Sequence, residues 1–196
     1  MSGAEAGSTP ARRWLADQGR WLTGDVLRFV AAASVPLCWA VAGGPAAAAM
    51  LLALGGAMAL RFARMPTATD LIGQAVLLAA AWWAATGAYE AVPWLDLVTH
   101  AACGAVLALL AREIMLRTRM LPVGGGRREA LGRALHTSTA VLLLGFLWEL
   151  GEWAGHALIT DTIRVGYEDT LSDLLTDLAG AIAAAILVEL PRRSRA

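Results

Sequence analysis

The sequence predicts an all-α, polytopic integral membrane protein with six transmembrane helices and both termini in the cytoplasm. Three observations carry that expectation. The 196 residues are 58% apolar and only 16% charged, with a mean hydropathy of +0.57; a soluble domain of this length carries more charge and alternating polar faces. The apolar residues fall into six long runs with the charges gathered between them. All the basic residues are arginines, and every one except Arg164 falls on the same side of a chain threaded back and forth through those runs.

The elements follow in order. Residues 1–11 (MSGAEAGSTPA) have the composition of a disordered lead-in. Residues 12–25 mix Arg, Trp and Leu and read as an interfacial helix or a solvated approach, so that 1–25 forms a cytoplasmic or interfacial segment. No small-residue cleavage site follows a short apolar core there, and no cleavable signal peptide is expected. A helix rises about 1.5 Å per residue and the hydrocarbon layer is about 30 Å thick, so a span needs about 20 residues. Spans are expected at 26–42 and 45–62, short and joined by the turn AGGP with Pro45 opening the second. Four more follow at 70–89, 94–115, 134–156 and 169–190, which makes 26–190 one membrane domain and 191–196 a cytoplasmic tail. The stretch VGGG at 123–126 lacks the Lys-Ser/Thr of a phosphate-binding loop and reads as a flexible linker.

Orientation comes from the arginines. Arg12, Arg13, Arg20 and Arg28 precede or open span 1, and Arg61 and Arg64 lie between spans 2 and 3. Arg112, Arg117, Arg119, Arg127, Arg128 and Arg133 surround the loop after span 4, and Arg192, Arg193 and Arg195 follow span 6. Positive-inside bias puts this side, and with it both termini, in the cytoplasm. Trp39, Trp82, Trp83, Trp94, Trp148 and Trp153 map to the outer half, as an interfacial aromatic belt would. Cys38 and Cys103 sit in apolar runs and are expected to be free thiols. The arginines are absorbed by topology, and no nucleic-acid partner is expected; the direct partner is the lipid bilayer.

Against that frame the acidic residues are misplaced. In GFLWELGEWAGH (145–156), Glu149 and Glu152 lie within the outer end of span 5, with His156 at its rim. Spacings of three, four and seven put all three on one helix face. Span 4 carries Asp96 and His100 four apart on one face of its outer half. In span 6 the clean apolar run Leu178–Leu190 is only about 20 Å of helix, so the span must borrow the preceding turns, which carry Asp169, Asp173 and Asp177 as a stripe. A charge at a span centre costs at least about 2.5 kcal/mol on insertion scales. Three helices therefore bring carboxylates and imidazole to one depth where only Arg164 is near to balance them, so protons or a cation must.

Carboxylates with one or two imidazoles suit a divalent metal ion. The expected ligands are Asp96, His100, Glu149, Glu152, Asp169, Asp173 and Asp177, with Glu149 or Glu152 as general base for metal-activated water. The identity of the ion is not legible. Neither H-E-x-x-H nor G-x-S-x-G occurs. Small residues Gly104, Ala108, Gly151, Gly155, Gly180 and Ala184 are expected at the contacts of spans 4, 5 and 6.

Three motifs carry a resemblance: LDLVTHAACGAVLALLAREI at 95–114, LWELGEW at 147–153 and YEDTLSDLLTDLAGA at 167–181. Together, in this order, they resemble the YjdF-type bacterial inner-membrane proteins, and more loosely VanZ-like membrane proteins. The matching positions are Asp96 and His100, Gly104 and Arg112, Glu149 and Glu152, and Asp169, Thr170 and Asp173. The chain departs from that pattern at Leu171, where a Gln is usual, and at Thr99, where a Gly is common. The resemblance implies a membrane protein and passes on no catalytic role.

The function expected from these residues is a membrane protein with an outward-facing carboxylate–histidine cation site, acting on lipid or lipid-linked envelope substrates. A proton or divalent-cation transporter is the second class, weakened by the absence of an inverted repeat and by the apolar inner half of span 6. A non-catalytic assembly protein, whose carboxylates only fix helix register, is the third. The oligomeric state is not legible.

Overall fold

A computed structural model describes residues 20–189, and the expected tail at 191–196 and most of the expected N-terminal segment lie outside the described residues. The chain is helical, with no strand among the described residues. Among the described residues six helices follow in order: α1 (Asp25–Phe62), α2 (Thr67–Thr86), the single turn α3 (Ala88–Ala91), α4 (Pro93–Arg117), α5 (Arg127–Leu158) and α6 (Tyr167–Glu189).

Five of these are long and apolar enough to cross a membrane. The longest, α1, is two spans: Gly43, at φ 82° and ψ −168°, breaks it into arms 25–42 and 44–62. Only glycine adopts that conformation without strain. The arms fold back on each other, because Arg28 near the start of the first donates from Nε to the Ala57 carbonyl of the second at 3.0 Å. The expected six spans are therefore present.

The boundaries differ from the expectation where local chemistry intervenes. Span 3 stops at Thr86 rather than 89, because Gly87 takes the left-handed conformation at φ 70° and caps the helix. Span 5 begins seven residues earlier than expected, at Arg127, where the Glu129 carboxylate accepts from the Gly126 N–H at 2.6 Å. The VGGG stretch expected as a flexible linker is tied down: Arg133 Nη1 donates to the carbonyls of Pro122 at 3.2 Å and Gly124 at 2.7 Å.

Packing divides the bundle into two groups of three spans. Ala31 and Cys38 from the first arm, Met50 and Ala53 from the second, and Leu78 and Ala81 from α2 form one core. Ala108 from α4, Val141 from α5 and Ala181 and Ala184 from α6 form the other. Leu60 and Ala63 against Val106 and Leu110 join the two. Large apolar side chains such as Leu51, Leu52, Leu143, Phe146, Leu147 and Leu187 remain exposed, as they do when the surrounding solvent is lipid. Both cysteines are free, as expected.

Candidate cation site at the acidic end of the bundle

Among the described residues, α4 and α6 bring their backbones into direct contact. A Cβ built on Gly104 would stand 2.8 Å from the backbone carbon atoms of Asp177, and one built on Gly180 would stand 2.7 Å from the Ala101 carbonyl carbon. Two glycines thus let two backbones touch, which brings the polar residues beside them together. Ala108 and Ala184 bury at the same contact, as the spacing of small residues predicts. Gly155 is buried against Ile163 instead. Gly151 also departs from the expectation: it is exposed and nothing lies within 4 Å of a Cβ placed there, so it faces outward rather than into the helix contact.

His100 sits at the centre of this crossing. Its Nε2 faces Asp96 Oδ1 at 3.8 Å and Asp173 Oδ2 at 3.6 Å, and its Nδ1 faces Asp177 Oδ1 at 3.3 Å. Asp96, one helical turn before His100, is half-buried, whereas Asp173 and Asp177 are buried. Asp96, His100 and Asp173 each present a ligand atom, all within 4.8 Å of one another. Atoms bound at about 2.1 Å to one ion stand roughly 3.4 Å apart in a tetrahedron, so the group is slightly wider than a filled site.

One carboxylate oxygen here is left without a partner. Asp173 Oδ1 is fully buried and accepts no hydrogen bond, while the rest of the residue is only 4% exposed. A buried acceptor in that state costs about 1–3 kcal/mol, so it marks a place where a proton, a water or a cation belongs.

The remaining expected ligands surround the group without joining it. Glu149 is buried on α5 and Glu152, one turn on, is half-buried. Glu152 interacts electrostatically with Glu149, His100, Asp173 and Asp169, and Asp173 with Asp96, Asp169 and Glu149. Asp169, in the first turn of α6, is exposed at the mouth of the site. His156, expected on the same face as the glutamates, is exposed and bonds through Nδ1 to the Ile163 carbonyl at 2.7 Å, so it fastens the 159–166 loop.

Tyr89 escaped the sequence reading. It lies in α3, outside the spanning helices, where burial pushes its phenol up to about 12 and contact with Thr99 works the other way. It therefore stays protonated and donates to the Ala80 carbonyl at 3.1 Å. This turn also brings Glu90 into electrostatic range of Asp96.

Two charged networks at the opposite, arginine-rich end also went unseen. Buried Arg28 pairs with Asp25 at 3.1 Å and with Asp70, Asp25 also pairs with Arg61, and Asp70 accepts from Gln74 Nε2 at 3.0 Å. Between the other three helices, Glu189 bridges Arg112 at 2.7 Å and Arg133. The i,i+3 pair Asp25–Arg28 and the i,i+4 pair Asp70–Gln74 were visible signals. Counted only as topological charges, these arginines concealed that they also hold helices together.

The sequence matches the family described as Predicted membrane protein (DUF2238) over residues 21–194, which is the YjdF-like family its motifs resemble. The match shows no VanZ-like relationship. No curated protein and no solved structure matches the chain.

Proposed function

The chain belongs to this family of predicted membrane proteins, and from that premise we propose that it holds a divalent metal ion between α4, α5 and α6 and acts with it on lipid or lipid-linked envelope substrates. The observation that carries this reading is the buried, unpartnered Oδ1 of Asp173, set beside His100 and Asp96 in a three-donor group. The hydrogen bond from His100 runs to Asp177 at 3.3 Å and leaves that oxygen open. The donor set, two carboxylates and an imidazole with further carboxylates nearby, suits Zn, Mn or Fe better than a soft metal.

In this reading Asp96, His100 and Asp173 hold the ion, which would polarise a phosphate or lower the pKa of water. Glu149 or Glu152, on the adjacent helix, would take the proton from that water or from a substrate hydroxyl. Trp94, Trp148 and Trp153, all substantially exposed, sit at the depth of lipid headgroups. The acidic end faces outward and the termini lie in the cytoplasm of a bacterial cell, as the arginine distribution argues.

The far half of the same three helices favours an enzyme over a transporter. Ala108, Val141, Ala181 and Ala184 close the bundle below the site, and the ion bridges of Glu189 fasten it beyond. A conducting path would need more polar groups through that layer than the buried Thr137 and Ser138 of α5.

The test is elemental analysis of full-length protein purified in detergent, beside His100→Ala and Asp173→Asn, followed by turnover of defined phospholipids in nanodiscs with and without chelator. One metal ion per chain, lost in both variants, is expected. Wild type without stoichiometric metal would end the proposal and leave shared protons as the account of the cluster.

A further inference from the structure

The two nitrogens of His100 face different partners, and we infer from that geometry that Asp177 positions His100 rather than binding the ion. The inference rests on the cation site just proposed. Toward Nε2 lie Asp96 Oδ1 at 3.8 Å and Asp173 Oδ2 at 3.6 Å, and Asp173 is the aspartate whose other oxygen is buried without a partner. Toward Nδ1 lies Asp177 Oδ1, at 3.3 Å. An imidazole gives one nitrogen to a metal, and its other N–H donates to an acceptor that selects the tautomer and fixes the ring. Among the described residues the three-donor group is on the Nε2 side. The ion therefore takes Nε2, and the proton on Nδ1 goes to Asp177.

Asp177 is held for that task from two sides. Its backbone is seated against Gly104 of α4, beside the helix turn that carries His100. Its other oxygen, Oδ2, lies against Gly145 of α5, where an added Cβ would meet it at 2.7 Å. It is itself buried, so little else competes for its carboxylate. A carboxylate fixed in this way orients the ring and raises the basicity of Nε2. This separates the aspartate stripe of α6 into different tasks: Asp173 as ligand, Asp177 as acceptor one turn deeper, and Asp169 at the exposed mouth.

The experiment is a Co2+ titration of purified full-length protein, read by visible ligand-field absorption and by bound cobalt per chain. Asp177→Asn keeps an oxygen that can accept from Nδ1–H, so wild-type stoichiometry and band positions are expected. Asp177→Ala should keep the bands and the stoichiometry but bind about 10–100-fold more weakly. Gly145→Ala, which displaces the carboxylate without removing it, should weaken binding in the same manner. Asp173→Asn, a ligand change, should shift the bands or abolish them. The inference is overturned if Asp177→Asn shifts the bands as Asp173→Asn does, which would make Asp177 a ligand. It is also overturned if Asp177→Ala binds cobalt as tightly as wild type. Should Asp177→Ala not fold, the bands of Asp177→Asn decide the matter. A wild type that binds no cobalt removes the cation site itself and the inference with it, whereas wild-type binding with a failed Asp177 pattern removes the inference alone.

Discussion

Gly180→Ala adds one methyl group at the crossing of α4 and α6. Its Cβ would stand 2.7 Å from the Ala101 carbonyl carbon and 3.0 Å from the Ala101 Cα. Non-bonded carbons rest about 3.5–4.0 Å apart, so the helices must part by roughly 0.8 Å at least. The obstacle is backbone, and no change of rotamer relieves it. Ala101 adjoins His100 and Gly180 lies one turn beyond Asp177, so the parting falls on the site. Added to the 3.3 Å between His100 Nδ1 and Asp177 Oδ1, it gives roughly 4.1 Å, outside hydrogen-bond range. Overpacking costs about 1–3 kcal/mol, and a contact between two backbones belongs at the upper end. Replacing glycine by alanine within a helix returns about 1 kcal/mol. The expected net loss is about 2 kcal/mol, together with weaker cation binding. Gly151→Ala is the control, since nothing lies within 4 Å of a Cβ there; it should gain about 0.5–1 kcal/mol from helix propensity alone. Denaturant titration in detergent, followed by tryptophan fluorescence, measures both. If Gly180→Ala unfolds at the same or a higher denaturant concentration than wild type, the backbone contact is not what sets the α4–α6 spacing, and the reasoning fails.

Three further outcomes are expected. Asp173→Asn should leave the stability of the metal-free protein unchanged or raise it, because its Oδ1 has no partner to lose and a charge leaves a crowded cluster. A loss of about 1–2 kcal/mol, with no effect of chelator on wild type, would instead make the aspartate a helix-joining group. Arg28→Ala leaves buried Asp70 without its cation, while Asp25 keeps Arg61, and should cost about 3–5 kcal/mol by the same titration; a loss below about 1 kcal/mol would contradict the network's structural role. For orientation, an impermeant maleimide applied to intact cells should label Asp161→Cys and not Gly125→Cys, two exposed positions at opposite ends of the bundle; the reverse pattern would turn the site to the cytoplasm.

Much of the site was legible because helix periodicity is a local rule. Asp96 and His100 lie four apart on α4, as do Asp173 and Asp177 on α6, so each pair had to share a face wherever its helix was packed. The excess of carboxylates over bases at one depth showed that something must neutralise them. His156 obeyed the same periodicity and still left the site, because the loop after α5 offered the Ile163 carbonyl closer to hand. Gly151 likewise had the right spacing for a helix contact and lies on the exposed side of α5, because the face a helix buries depends on where its neighbours stand.

The sequence by itself determined that the chain spans a membrane six times, that its polar residues gather at one end of spans 4, 5 and 6, and which residues share each face. Hydropathy, charge bias and the 3.6-residue period suffice for this, since each acts within a single helix. Only the tertiary structure decided that Asp96, His100 and Asp173 form one group while Asp177 meets the other side of the imidazole. It alone showed that Arg28 and Arg133 hold helices together as well as marking a membrane face. Those outcomes depend on how closely α4 approaches α6, which glycines at 104 and 180 permit through backbone contact. A sequence displays the glycines; the partner each one admits exists only once two distant stretches of chain are packed together.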